Sequence, residues 1–278
     1  MLQTLRQLFR PAAEAFETGS PSARVPTGTR VYCIGDIHGR LDLFEELAFA
    51  IEQDDIAHGD ADSTVILMGD LVDRGPNSAG VIETAREWQA RRKVRILAGN
   101  HEEMFLRAFD DVDMLRHFLR HGGRSTIFSY GIDRDAYNSS SLAQIQEMMV
   151  DAVPQRDRDF LRGFEDFVEM GDYLFVHAGI APEVPLEDQK RNDLIWIREP
   201  FLRHAQPHSH MIVHGHTIAE DIQEMPNRIG IDTGAFRFGR LTALVLEGDS
   251  RRYIQAVEED GAITVRHAAT GGELANRD

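Results

Sequence analysis

Cysteine is nearly absent. The single Cys33 rules out an intramolecular disulfide and suits a reducing interior, so a cytoplasmic location is the expectation. Long apolar runs are missing too, since none approaches the roughly 18 residues that span a bilayer. The opening MLQTLRQLFRPAAEAF sets Leu2, Leu5, Leu8 and Phe9 on a short amphipathic turn but has no apolar stretch of the signal-peptide kind. No stable membrane association is expected. Positive charge is also in deficit: 30 lysines and arginines face 46 acids, for a net charge of −16. Nucleic-acid affinity comes largely from cations neutralising phosphates, so a nucleic-acid partner is not expected. Any phosphate the chain handles must meet a local positive charge.

What remains is an ordinary globular composition, 42% hydrophobic and 27% charged over 278 residues, enough for one large core. TGSPSARVPTGT reads as a linker, which gives a tail and linker over 1–28, a single domain over 29–270 and a loose C-terminal tail, GGELANRD, over 271–278. Short β-rich runs, RVYCIG, TVILMG and KVRILAG, each closed by glycine, alternate with the helical patterns LDLFEELAFAIEQ and AGVIETAREWQARR. That is a β-α-β-α-β opening and predicts an α/β fold with a mainly parallel sheet. The stretch 103–163 is mainly helical, interrupted at HGGRSTIFSYG and DRDAYNSSS. Strand patterns return at DYLFVHAG, MIVHGH, NRIGID, LTALVLEG, RRYIQAVE and AITVRH, the last ones antiparallel given the short turns EGDS and EDGA.

The chemistry stands at the strand ends. Successive strands run into GDIHGR, GDLVDRG, GNHE, HAG and HGHT, so Asp36, His38, Asp70, Asn100, His101, His177 and His216 all follow strands. In open parallel sheets, functional groups gather outside the carboxyl ends of strands. A lone Asp there is ordinarily a turn or cap residue and a lone His a surface or core group. Seven ligand-type residues in five turns are too many for that explanation. Mixed carboxylate, imidazole and amide-oxygen donors suit a divalent first-row metal such as manganese, iron or zinc.

GDIHG, GDLVDRG and GNHE, in that order, resemble the phosphoprotein phosphatase branch of the calcineurin-like metallophosphoesterases, closest to its compact bacterial and phage members such as the phage lambda phosphatase and the symmetrical diadenosine tetraphosphate hydrolases. The resemblance covers about Arg30 to Leu246. It implies two mixed β-sheets packed as a central sandwich flanked by helices, and two divalent metal ions, Mn2+ first. Asp36 and His38 would hold one ion, Asn100, His177 and His216 the other, with Asp70 bridging. His101 would be the proton donor to the leaving oxygen, oriented by Asp73, and Arg74 would bind phosphate. Arg198 of LIWIREPF, in a W-x-R stretch after Trp196, would be the second phosphate arginine. Arg124 is a further candidate for the pocket rim. The activity implied is direct hydrolysis of phosphomonoesters by metal-activated water, on a phosphorylated protein or a small phosphorylated substrate. Serine/threonine protein phosphatase leads, a symmetrical dinucleoside polyphosphate hydrolase is the alternative, and a silent phosphoprotein-binding metal protein trails both.

Other features are weaker. His214 reads as a strand residue behind the site, and His204, His208 and His210 as a solvated loop. Cys33 and Arg40 have six intervening residues where the cysteine-phosphatase loop has five, and Cys33 lies in an apolar strand, so it reads as core. Ile218 stands where the nuclease-type members carry a second histidine. Ala98 replaces the arginine that eukaryotic relatives carry before GNHE, and their long C-terminal extension is missing, which puts eukaryote-like toxin and regulatory-subunit binding in doubt.

Overall fold

The computed structural model describes residues 23–269 and 275–276. The strands are β1 (Thr29–Ile34), β2 (Asp62–Leu67), β3 (Val94–Ile96), β4 (Phe167–Met170), β5 (Tyr173–Val176), β6 (Met211–His214), β7 (Gln223–Met225), β8 (Arg228–Gly230), β9 (Arg240–Glu247), β10 (Ser250–Glu259), β11 (Ala262–Ala269) and β12 (Ala275–Asn276). One sheet has the order β12-β11-β10-β9-β1-β2-β3 and the other β4-β5-β6-β8-β7. β1, β2 and β3 are parallel, whereas β9 joins β1 antiparallel and leads into the β10–β11 meander. The first sheet is therefore mixed rather than mainly parallel.

Strand alternation builds the layers. Val31, Cys33, Ile66, Met68, Leu244 and Leu246 face Tyr173, Phe175, Val213 and Ile229 of the second sheet. Their neighbours Tyr32, Ile34, Val65, Leu67, Ala243 and Val245 face the helices, and Leu174, Val176 and Ile212 cover the far side of the second sheet. A slip of one residue would exchange these faces, so the period-2 pattern fixes the register. Cys33 is fully buried between the sheets, and burial pushes its thiol well up. It has the environment of an inert core residue.

Helices α1 (Leu41–Ala57), α2 (Ser78–Arg91), α3 (Asn100–Arg107), α4 (Val112–Phe118), α5 (Arg124–Ser129), α6 (Arg134–Ser139), α7 (Leu142–Ala152) and α8 (Gln155–Arg162) lie on the first sheet's side. The interruptions expected within 103–163 are themselves helical. The turn Leu119–Gly123 joins α4 to α5 through a kink at Gly122, whose φ is 110°. In DRDAYNSSS the Asp133 carboxylate caps α6 by accepting from the Asp135 and Ala136 N–H groups at 3.0 and 2.9 Å. Tyr137 anchors that helix in the core against Phe128, edge to face at 5.1 Å. One cap and one aromatic outweigh a polar composition.

The boundaries also shift. The amphipathic turn at Leu2–Phe9 lies outside the described residues. The end of the presumed linker is packed structure: Val25 is buried and its N–H donates to Gly248 O at 2.9 Å, while Tyr173 OH donates to Ala23 O at 3.2 Å. Within the stretch read as a loose tail, Ala275 and Asn276 pair with β11. Among the described residues no helix is long and apolar enough to cross a membrane.

A buried ionic network ties α1 to the first sheet. Asp54 accepts from Arg252 Nη1 and Nη2 at 2.5 and 2.6 Å and from Tyr32 OH at 2.7 Å. Removing one partner of a buried pair strands the other. Asp54→Ala is expected to cost about 3 kcal/mol in urea unfolding, the low end of the range for buried pairs, because Arg252 keeps 21% side-chain exposure. A loss under about 1 kcal/mol would mean the network contributes no more than an exposed pair.

Candidate metal centre

Register brings the strand ends together. Ile34 pairs with Leu67 and Leu67 with Ile96, while His214 joins Val176 to Gly230, so the turns after β1, β2, β3, β5, β6 and β8 open on one edge of the sandwich. The two sheets touch there closely enough to demand glycine. A Cβ on Gly215 would lie 2.0 Å from Asp36 Oδ1, and one on Gly35 only 2.4 Å from Ile231 O.

Asp36, His38, Asp70, Asn100, His101, His177 and His216 are all buried within this edge. His38 Nδ1 donates to Val72 O at 2.8 Å and His177 Nδ1 to Met68 O at 2.7 Å, because a carbonyl can only accept. Both Nε2 atoms therefore carry lone pairs, and they face Asp70: His38 Nε2 lies 3.5 Å from Oδ2 and His177 Nε2 3.4 Å from Oδ1. Asn100 Oδ1 is 3.1 Å from the same His177 Nε2. Asp36 accepts from the His216 N–H at 3.0 Å, yet Asp36 Oδ1 and His216 Nε2 are buried without a hydrogen-bond partner. Two groups have ligand atoms close enough to share an ion, His38–Asp70–His101 and Asp70–His177–His216, with Asp70 common to both. None of the loop histidines His204, His208 and His210 belongs to such a group among the described residues.

The electrostatics agree with a cation-binding cradle. Burial pushes His38, His177 and His216 below the ordinary imidazole range, His216 to about 2, so they are neutral and able to ligate. Burial, then Asp232 and Asp70, push the Asp36 carboxyl well up. Burial also pushes up Asp70, but the imidazoles of His177, His101, His38 and His216 outweigh it and hold that carboxyl low. Lone pairs outnumber protons, and the donor set of imidazole, carboxylate and amide oxygen fits divalent cations.

His101 Nδ1 donates to Asp73 Oδ2 at 2.6 Å, and Asp73 is held by Thr126 Oγ1 at 2.6 Å. Burial lowers the His101 pKa, but Asp70 and the bond to Asp73 outweigh it and leave it raised. Arg74 bridges the centre, its Nη1 2.6 Å from His38 Nε2 and its Nη2 2.9 Å from His101 Nε2, with Phe236 under the guanidinium at 4.6 Å. Arg198 reaches the edge from another loop, donating to His216 O at 3.4 Å. Arg124 is exposed and lies over the Tyr137 ring rather than among these groups. Arg40 is occupied elsewhere by Asp42 and Glu258.

Several contributors escape sequence reasoning. Glu102 accepts from the N–H groups of Leu71, Asp70, Gly99 and Val72 at 2.7, 2.9, 3.0 and 3.2 Å, clamping the turn that carries Asp70. Burial and the adjacent Asp70 push its pKa up to about 8, against the pull of those N–H groups. Asp232, after β8, is buried with an unpartnered Oδ2, and burial raises its pKa to about 7. Ser78, Thr126 and Phe236 reach the site only through the fold. Glu102 sits inside GNHE, and that position was the one available signal.

A calcineurin-like phosphoesterase profile matches residues 29–231, and the chain belongs to that family. Curated relatives include the Bis(5'-nucleosyl)-tetraphosphatase PrpE [asymmetrical] of Anoxybacillus flavithermus, 25% identical over 235 residues, 76% of this chain and 88% of the relative. The protein of the same name from Bacillus subtilis is 25% identical over 75% of this chain and 87% of its own length. The crystal structure of a cold-active protein-tyrosine phosphatase of a psychrophilic Shewanella shares the fold, with a TM-score of 0.54 at 20% identity over 87% of this chain and 83% of that one. The family is thus established as expected, and these curated relatives carry the name of tetraphosphatases, which does not confirm the phosphoprotein phosphatase branch.

Glu102→Gln replaces one acceptor oxygen by an NH2 that opposes two backbone donors. Loss of such support behind a ligand typically weakens metal binding by about 10- to 100-fold. Titration of the variant with Mn2+ should show that drop, and unchanged affinity would mean Asp70 does not need the clamp.

Proposed function

We propose that this chain hydrolyses dinucleoside tetraphosphates asymmetrically, by water attack on one phosphorus of the polyphosphate chain, at the centre built around Asp70. The observation that carries the hydrolytic reading is the pair of buried donor groups sharing Asp70, spanned by the Arg74 guanidinium. The substrate class is supported by the names of the curated relatives, which align over most of their own length. It replaces the phosphoprotein reading as the leading one, and cleavage is proposed as asymmetrical rather than symmetrical.

In this reading Asp36, His38 and Asp70 would hold one divalent cation and Asp70, Asn100, His177 and His216 a second, with Mn2+ the first candidate. Such a pair of cations lowers the pKa of water and neutralises phosphoryl charge. Arg74 and Arg198 bind and orient the phosphoryl oxygens through charge-assisted hydrogen bonds. With Arg74 drawn from His101 Nε2 onto the phosphoryl oxygens, His101, whose protonated form Asp73 stabilises, delivers its Nε2 proton to the leaving bridge oxygen as the phosphorus–oxygen bond breaks. Thr126 fixes the far oxygen of Asp73, so the imidazole cannot swing away.

With Mn2+, diadenosine tetraphosphate should yield ATP and AMP by anion-exchange chromatography, faster by orders of magnitude than phosphate release from phosphoserine or phosphothreonine peptides. Two ADP would establish symmetrical cleavage, and preference for phosphopeptides would restore protein phosphatase as the function. His101→Asn should retain its metal and lose roughly 100-fold or more in turnover, the scale of general-acid loss. Metal depleted in that variant would instead make His101 a ligand.

A further inference from the structure

The segment RHFLRHGGR, residues 116–124, opposes the charge of the whole molecule. It carries Arg116, His117, Arg120, His121 and Arg124 without a single acid, in a chain of net charge −16, and all five side chains are exposed. The fold gives this run a fixed place. It comprises the end of α4, the kink at Leu119–Gly123, where Gly122 leaves the helical conformation, and the first residue of α5. Phe118, stacked on Phe105 at 5.3 Å, roots it in the core.

The turn is set directly against Arg74. The Arg74 N–H donates to Gly122 O at 3.2 Å, and Ser125 Oγ donates to Arg74 O at 3.2 Å. Gly122 has φ 110°, and a Cβ there would lie 2.7 Å from Arg74 Cγ and 2.9 Å from Arg74 N. Only glycine allows so close an approach. The cationic turn thus leans on the backbone of the arginine that spans His38 and His101. His117 feels His121, Arg120 and His101 together: after burial, these three lower its pKa. Arg116 is paired with Asp113 and Arg124 lies over Tyr137, but Arg120 has no acidic partner among the described residues.

We propose that this basic turn is a second phosphate subsite, in which Arg120, His121 and Arg124 take phosphoryl groups of a polyphosphate chain beyond the one held at Arg74. The proposal rests on the reading of the Asp70 centre as hydrolytic and gives that centre its substrate class: chains of three or more phosphates rather than phosphomonoesters. An isolated exposed arginine contributes little to binding. Several borne on one short turn and acting on one polyanion contribute together and with marked salt dependence.

The test compares inorganic tripolyphosphate with orthophosphate by calorimetric titration of the Mn2+-loaded full chain at fixed free Mn2+. The wild type should bind tripolyphosphate at least 10-fold more tightly. In Arg120→Gln/Arg124→Gln that preference should fall at least 10-fold, and Arg120→Lys/Arg124→Lys should recover most of it. Arg120→Gln alone should reduce the preference at least threefold, and decides the matter if the double variant does not fold. An unchanged ratio of affinities in these variants overturns the subsite. Turnover of p-nitrophenyl phosphate and diadenosine tetraphosphate by the wild type tests the hydrolytic reading separately, so the failure of one is not mistaken for failure of the other.

Discussion

Asp70 is the constraint on which the centre depends, because its carboxylate is the point where both halves of the ligand set converge while almost every proton nearby is spent elsewhere. His38 and His177 direct their Nδ1 hydrogens into backbone carbonyls, which leaves both Nε2 atoms as acceptors beside the carboxylate, that of His38 meeting Arg74 Nη1 as well. Uncompensated, such an assembly of buried acceptors costs several kcal/mol. The backbone adds strain: among the described residues, five of the seven non-glycines with positive φ are His38, Asp70, Asp73, Arg74 and His216. Conformations of this kind cost about 1–3 kcal/mol each and persist only where surroundings enforce them. Here Glu102 gathers four N–H groups around the Asp70 turn, and two sheets meet at glycine contacts with no room to relax.

The same constraint explains the architecture. A single sheet could offer β1, β2 and β3 and thereby Asp36, His38, Asp70 and Asn100, but not His177 and His216. Those come from β5 and β6 of the second sheet, and the sandwich core between the sheets sets the separation of the two ligand groups. Core packing is therefore part of the chemistry. An altered volume at Cys33, Met68 or Val213 acts on the strands that lead into the candidate ligands, and close-packed interiors transmit such changes.

The sequence made legible those features that depend on residue type and local spacing. Strands ending in glycine and a ligand-type residue are visible without any structure, as are the alternating faces of β1, β2 and β9. Glu102, Asp232, Ser78, Thr126 and Phe236 were not, because each is an unremarked polar or aromatic residue until the fold carries it to the site; Thr126 lies 53 positions from the Asp73 it holds. Helix α6 was hidden by its polar composition, since the buried face of so short a helix amounts to Tyr137. The packed end of the linker, Ala23–Gly28, looked like a linker because backbone hydrogen bonds, rather than apolar side chains, attach most of it.

Charge distribution completes the account. A molecule with 46 acids and 30 strong bases repels a polyanion at distance. At physiological ionic strength that repulsion is screened beyond about 8 Å, so the field at the mouth of the site is set by groups within reach of the ligand itself. Arg74 and Arg198 come to that mouth from separate loops, and the basic turn leans against Arg74. The acidic ligands, by contrast, are buried beneath them. A phosphate approaching the edge therefore meets guanidinium groups before it meets carboxylates. In this geometry net charge says little about which ligands the chain accepts, and the order in which charges are encountered says more.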